Sequence, residues 1–481
     1  MSCTRPLLTG FLLIVASAMR VSLTAEDRDK PGDGVCLLFT GDILLSRQVR
    51  TEIEHGDRFP WEGFISLFRQ ADWVGSNLEG AVGPHESCLL TQVESPCFDI
   101  AADSLALLQQ AGFRALSVEN NHAGDLGAAG RKTTRTALVN RGIQPLTFKK
   151  SPVFFRFGDV TVAFISLSTV PGRDGSKATV PSTALRQKLR LARQLANLVM
   201  VSIHWGNELL DWPTVDQRRE ASWLVRRGAD VIFGHHPHVV QRPECVTGKP
   251  VFFSLGNHLF DQKYPATKEG LIADCRILRG ELNCQAIATK AAPGTAVPSL
   301  VGQDVDVSRK LNGCRVRLSE SRKLNGLGLR PGSTSLTEHD DGVVLEAVSE
   351  AHNQWTAHVS KLVSLEVGHL AGASNPPMVL TLEEHYSPMD DEDGVRPYVY
   401  EVSAKGLIPK WRGTALAWPL LDMALLPKSD GVVCALHRGD SFIVPEPDSN
   451  ITRVAAYRWN GFGFSGIDKQ PVVRACQQLF E

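Results

Sequence analysis

Five short segments gather the residue types that hold metal ions and move protons. They are Gly41-Asp42, Asn77-Leu78-Glu79, Asn120-Asn121-His122, His204-Trp205-Gly206-Asn207-Glu208 and Gly234-His235-His236-Pro237-His238. The donors at issue are Asp42, Glu79, Asn121, His204, His236 and His238. Imidazole and carboxylate in this mixture suit zinc, manganese or iron, whereas an all-oxygen set would suit magnesium or calcium. His236 and His238 flank one proline, so both rings can point into a single crevice. That spacing means little alone and gains force from the other four segments. Six of the 14 histidines fall between His122 and His258, in these segments and in Gly256-Asn257-His258.

Each donor also has a plain structural reading. Asp42 after Gly41 can cap a helix, and Asn120-Asn121 is a natural turn pair. Glu79 can close a surface turn, and His204 can be an interior histidine at a strand end. His235 and His258 read as residues lining the site rather than as ligands. Position favours the chemical reading. The segments follow the apolar runs Val35–Thr40, Ala71–Ser76, Phe113–Val118, Leu198–Ile203, Val231–Phe233 and Val251–Leu255. In an open α/β sheet, the carboxyl ends of successive strands converge on one crevice.

The elements that must position these tips alternate strand and helix between residues 34 and 290, which predicts an α/β layer architecture. Asp103–Ala111 reads as a short helix. Ser182–Leu198 reads as a longer one, with Leu185, Leu189 and Leu195 on one stripe and Ser182 as N-cap. Its Arg186, Lys188, Arg190 and Arg193 read as a solvated face. Val215–Arg227 is a third helix, stopped by Gly228. Residues 291–342, rich in Pro, Gly, Ser and charge, read as a linker or irregular excursion that contains Ser-Arg-Lys-Leu-Asn-Gly twice. From Val343 to the end, the runs Val343–Val348, Met378–Leu382, Tyr398–Val402, Val432–Leu436 and Val454–Trp459 predict a small β-rich module. The aromatic run Tyr457–Phe464 reads as a core turn rather than a ligand-stacking patch.

The 481 residues allow two or three domains. With 43% hydrophobic and 21% charged residues, the composition is that of a soluble globular chain. A formal net charge of -1 gives no basic field for nucleic acid, so no nucleic-acid partner is expected. Arg5 precedes the apolar stretch Leu7–Ala18, with small residues at Ala16-Ser17-Ala18 and Thr24-Ala25. This predicts a signal peptide over residues 1–25 and an exported chain, whether periplasmic, cell-surface or secreted. Ten cysteines in an exported chain predict disulfides. Cys275 and Cys284 lie symmetrically about the turn of a hairpin formed by Leu271–Leu278 and Leu282–Ala286, and Cys88 and Cys97 bracket a short loop.

The chain resembles the bacterial capsule-synthesis CapA, or poly-γ-glutamate biosynthesis, family within the calcineurin-like metallophosphoesterase superfamily. The matching stretches are Phe39–Arg47, Ser76–Gly80, Asn120–Asp125, His204–Glu208, Gly228–Gln241 and Ser254–Gln262, in the family's order within residues 34–290. The resemblance implies a four-layer α/β/β/α metallophosphoesterase-like sandwich and one or two divalent transition-metal ions (Mn, Fe or Zn). It maps Asp42, Asn121, His204, His236 and His238 onto metal-ligand positions, puts Glu79 where the superfamily has a bridging aspartate, and puts His122 beside the scissile phosphate. Leu44 stands at the position of the superfamily's second N-terminal ligand, a histidine. One metal site therefore lacks a ligand.

If the site hydrolyses, His122 donates a proton to the leaving oxygen or stabilises the equatorial charge. Arg47 either clamps an anion in a bidentate fashion or is a surface helix residue, and Asp125 either orients His122 or closes the loop. The implied function is capsule or poly-γ-glutamate biosynthesis or export, with hydrolysis of a phosphate ester or related anionic bond. The alternative is a non-catalytic assembly protein that holds an anionic polymer. The implied partners are an anionic polymer or phosphorylated substrate and membrane-embedded capsule-synthesis proteins.

Overall fold

A computed structural model describes residues 34–480, except 57–58, 85–87, 89–95, 305–310, 312, 315, 319–334, 340–341, 349–353, 360, 373, 388–391, 404–405, 413–415, 417–419 and 440–450. The expected signal peptide, and nearly all of both Ser-Arg-Lys-Leu-Asn-Gly copies, lie outside the described residues.

Two sheets organise the first half of the chain. In the first, Val35–Ile43 runs parallel to Trp73–Leu78, and the sheet continues through Ala115–Ser117 to Gln144–Leu146. On its other side, Val35–Ile43 pairs antiparallel with Glu269–Leu278, followed by Glu281–Ala291 and Pro298–Gln303. The second sheet sets Val160–Ser168, Leu198–His204, Val231–His235 and Lys249–Phe252 in parallel order. Every residue of Leu198–His204 is buried, as expected of a strand covered on both faces.

The side-chain period of two sorts these strands between layers. Leu37 and Phe39 face the second sheet, and Leu38 faces helices. Between the sheets, the Phe39 ring stacks on Phe233 at 4.5 Å and Trp73 on Phe164 at 4.4 Å. Burying one such ring stabilises the fold by roughly 2–3 kcal/mol. The far face of the first sheet is covered by helices Arg47–His55, Ile65–Gln70, Leu105–Ala111 and Gly127–Val139 through Val49, Phe68, Leu108 and Leu138. The far face of the second is covered by Thr183–Leu195 and Val215–Arg226 through Leu185, Leu189, Ala221 and Leu224. The order is α/β/β/α, as the family resemblance implies.

Two boundaries differ from the sequence expectation. The long helix ends at Leu195, because Leu198 already opens the next strand. Ser182 does cap it, accepting from the Leu185 amide at 3.3 Å. The stretch after residue 290 is not wholly irregular: Pro298–Gln303 and Val316–Arg317 pair with Glu281–Ala291 and extend the first sheet. Cys275 faces Cys284 across the hairpin and is bonded to it, and Cys88 is bonded to Cys97. Cys245–Cys314 and Cys434–Cys476 are two further disulfides.

The C-terminal region is β-rich. Antiparallel strands run from Lys361–Gly368 to Phe464–Ile467, and helix Gln470–Phe480 is clamped to them by Cys434–Cys476. Trp459 is buried and Phe464 packs against it, so most of the aromatic run is core; Phe462 is exposed. This region docks on helix Thr183–Leu195, where Leu191 and Leu195 meet Leu365, Val367 and Val379. Arg190, expected on a solvated face, instead reaches Asp422 at 2.5 Å and Glu366 at 3.1 Å. The expectation fails because a second apolar surface covers the basic side of the helix.

Asp422 is fully buried, so removing its charge leaves the Arg190 guanidinium with Glu366 as its one remaining carboxylate in the interface, among the described residues. Asp422→Asn is expected to lower stability by about 3 kcal/mol, read from urea denaturation. An unchanged midpoint would mean that the pair contributes nothing to docking.

Candidate metal centre

The backbone delivers the donors before any side chain is considered. Asp42, one residue from the end of its strand, stands between Asn77 and Asn257 on the flanking strands. His204 and His235 end neighbouring strands of the second sheet and lie opposite each other. Two glycines permit this crowding. A Cβ on Gly41 would lie 2.1 Å from the Gly256 carbonyl oxygen, and one on Gly234 2.0 Å from that of Phe253. His236 and His238 take φ values of 98° and 58°, left-handed conformations that cost on the order of 1–3 kcal/mol each and aim side chains at functional sites.

The six predicted donors come together. Asp42 is fully buried; its Oδ1 accepts from Asn77 Nδ2 at 2.9 Å and His235 Nδ1 at 2.8 Å, and its Oδ2 accepts from the His236 amide at 3.2 Å. Asn120 braces Asn77 from behind, at 3.0 Å. His238 Nδ1 lies 3.6 Å from Asp42 Oδ2, and its Nε2 lies 3.5 Å from Glu79 Oε1. His204 Nε2 meets Asn121 Oδ1 at 2.9 Å, and the His204 and His236 rings are 4.8 Å apart. Ligand atoms of Asp42, Glu79 and His238 lie within 4.8 Å of one another, as do those of Glu208, His236 and His238. Leu44 is fully buried in the apolar layer beneath the helices and offers no donor.

The charges are tuned by burial and by each other. Burial pushes the Asp42 carboxyl up, but the charges and hydrogen bonds of His235, His238 and Asn77 outweigh it and hold the group below the usual carboxylate range. Glu79 goes the other way, raised well above it by burial and then by the charges of Asp42, Glu208 and Asp125. Burial, reinforced by the neighbouring imidazoles, drives His204 far down, and His236 falls to about 3 for the same reasons. Neutral imidazole is the form that binds metal.

The donor set fits a divalent ion. Both Glu79 carboxylate oxygens, His204 Nδ1, His235 Nε2 and His236 Nδ1 are buried without a hydrogen-bond partner among the described residues. Buried polar atoms normally find partners, and leaving one unmet costs about 1–3 kcal/mol or more. Two of these residues, Glu79 and His236, belong to the two three-donor groups that share His238, as expected of a cation site seen from the protein side.

A second group flanks the donors. His122 Nδ1 is held by Asp125 Oδ2 at 2.9 Å, and the same oxygen accepts from the Phe98 amide at 2.7 Å. His122 Nε2 lies 3.9 Å from Glu79 Oε1. The Phe98 ring stacks on His122 at 3.9 Å and carries the Arg47 guanidinium 4.6 Å above its own centre. Asp125, read as orienting His122 or closing the loop, is hydrogen-bonded to the ring. Arg47 does not offer the expected bidentate face to an anion, because Asp261 takes that fork, bonded at Nε (3.0 Å) and at Nη2. His235 supports Asp42, as a lining residue should. His258 departs from expectation: it accepts from Trp61 Nε1 at 3.1 Å, packs on Phe64 and belongs to the helix-covered core.

Sequence reading missed Phe98, Asp261 and the Asn77–Asn120 brace as parts of this assembly. Asn77, Asn120 and Asp261 stand inside motifs already singled out, which was the available signal. Phe98 arrives from a loop and had none.

Fold and site together define an α/β/β/α sandwich protein whose strand ends gather histidines and carboxylates into one buried cluster. Residues 36–262 match the family of the bacterial capsule synthesis protein PGA_cap. The PGA biosynthesis protein CapA of Bacillus subtilis is 30% identical over 250 residues, covering 49% of this chain and 65% of that protein. The capsule biosynthesis protein CapA of Bacillus anthracis is 27% identical over 286 residues, covering 56% and 70%. A phosphatase structure from Mycoplasma pneumoniae aligns with a TM-score of 0.34 at 14% identity, over 58% of this chain and 97% of that one. Through residues 36–262 the chain is similar to the bacterial capsule synthesis family. The match spans just under two thirds of the Bacillus subtilis relative's length.

Glu79 supplies the test that belongs to this geometry. With no cation bound, its buried carboxylate faces the Asp42 charge without a hydrogen-bond partner. Chelator-treated Glu79→Gln is therefore expected to melt several degrees above chelator-treated wild type. A lower melting temperature would mean that Glu79 is satisfied by the protein alone.

Proposed function

We propose that the chain is an exported component of capsule or poly-γ-glutamate biosynthesis. In this reading the clustered strand ends hold a divalent transition metal and hydrolyse a phosphate ester or related anionic bond. The observation that carries it is the pair of three-donor groups sharing His238, with partnerless atoms on Glu79 and His236, beside the His122–Asp125 pair. The Bacillus relatives, proteins of PGA and capsule biosynthesis, support the process. The disulfides and the N-terminal apolar stretch support export.

Asp42, Glu79, Asn121, His204, His236 and His238 are the residues that would hold one ion or two, with Mn, Fe or Zn suited to the donors. The ion supplies Lewis acidity and a nucleophile at neutral pH. The protein's own work is positional. Asp125 fixes the His122 ring at Nδ1 and leaves Nε2 facing Glu79, where it can give a proton to a leaving oxygen. Phe98 covers one face of that ring and excludes water from it. Arg47, locked by Asp261 over Phe98, contributes charge near the donors rather than a fork to the substrate. The partners in this reading are an anionic polymer or phosphorylated substrate and membrane-embedded capsule-synthesis proteins.

The purified protein, assayed for bound metal and aryl phosphate hydrolysis, tests the reading. His122→Ala is expected to keep the metal and lose at least about 10²-fold in turnover. His204→Ala and His236→Ala are expected to lose metal. Full metal in both histidine variants would remove those ligand assignments. Bound metal with no turnover in wild type would favour the anionic-polymer-binding assembly role over hydrolysis.

A further inference from the structure

One residue at the cluster has no role in the account above. Glu208 follows the strand end at His204 and is exposed, whereas His236 and His238 beside it are buried. A carboxylate oxygen of Glu208 lies within 4.8 Å of ligand nitrogens of both His236 and His238. The loop is built to keep it there. Gly206 and Leu209, on either side, take φ values of 81° and 60°, and the Leu209 amide donates to the Pro237 carbonyl at 2.8 Å. Pro237 is the residue between the two histidines, so the backbone ties Glu208 to them directly. Leu209, a bulky side chain in a left-handed conformation and 48% exposed, marks a turn held for placement rather than packing.

The second observation comes from the histidines. His236 Nδ1 is buried and lacks a hydrogen-bond partner among the described residues, and the residue is only 6% exposed. His238 gives its Nδ1 to Asn257 Oδ1 at 2.9 Å, which leaves Nε2 as its ligand atom. Two imidazoles and one carboxylate form a familiar three-donor face for a transition metal. Glu208 itself has no hydrogen-bond or ion-pair partner among the described residues.

We propose that Glu208 is a metal ligand, reaching in from the solvent side to close an ion site with His236 and His238. It would give the centre a carboxylate donor exposed enough for an incoming anion to displace it. This rests on the metal-binding reading above.

Calorimetric titration of the chelator-treated full chain with Mn²⁺, accompanied by electron paramagnetic resonance of the bound ion, tests it. Glu208→Gln keeps the size of an exposed side chain, so the fold should be undisturbed. The variant is expected to bind Mn²⁺ at least about tenfold more weakly, with an altered spectrum of the bound ion. Wild-type affinity and spectrum in Glu208→Gln would overturn the ligand assignment and leave the metal reading standing. Failure of the wild type to bind Mn²⁺, Zn²⁺ or Fe²⁺ would instead remove the metal reading itself.

Discussion

Asp42 and Glu79 put two carboxylates into a fully buried space that a single imidazole, His238, reaches from both sides. Taking a carboxylate out of water costs several kcal/mol unless the protein replaces the lost hydration. For Asp42 it does, through Asn77, His235 and the His236 amide. For Glu79 it does not, and the neighbouring histidines carry unmet nitrogens as well. A cation held among Asp42, Glu79 and His238 would meet the Glu79 charge. The surrounding fold is arranged to bear their proximity: two sheets locked by stacked aromatics, glycines where strand backbones touch, and two histidines in left-handed conformations.

The proton-handling side depends on the same crowding. Asp125 serves two donors, the His122 ring and the Phe98 amide, so the histidine and the aromatic ring stacked on it move as a unit. Arg47 closes the stack from above because Asp261 holds its fork. Cys97, next to Phe98, is tied to Cys88, which anchors the loop covalently.

Much of this was legible in the sequence, for identifiable reasons. Strands such as Leu198–His204 and Val231–His235 are buried on both faces, so they read as unbroken apolar runs, and their polar tips stand out. Hence Asp42, Glu79, Asn121, His204, His236 and His238 could be named from position alone, and all lie in one cluster. The helix Gly127–Val139 was missed because its glycines and threonines leave little apolar periodicity. Arg47 was assigned the wrong partner because Asp261 lies 214 residues away, and no local pattern encodes a contact at that distance. Arg190 was placed in solvent because a helix shows one apolar stripe plainly, whereas the docking of a distant β-rich region on its other side leaves only Leu191 and Leu195 as a trace. The strands within the expected linker were hidden by short, mostly exposed sequences such as Pro298–Gln303, which pair at a sheet edge.

The central claim is that Asp42, Glu79, His204, His236 and His238 surround one cation-binding point. Anomalous diffraction from crystals grown with Mn²⁺ or Zn²⁺, collected on both sides of the metal edge, tests it most directly. The account predicts a strong peak bounded by those side chains. A metal peak elsewhere, or none there while the imidazole nitrogens and Glu79 oxygens bond to ordered water, would contradict it.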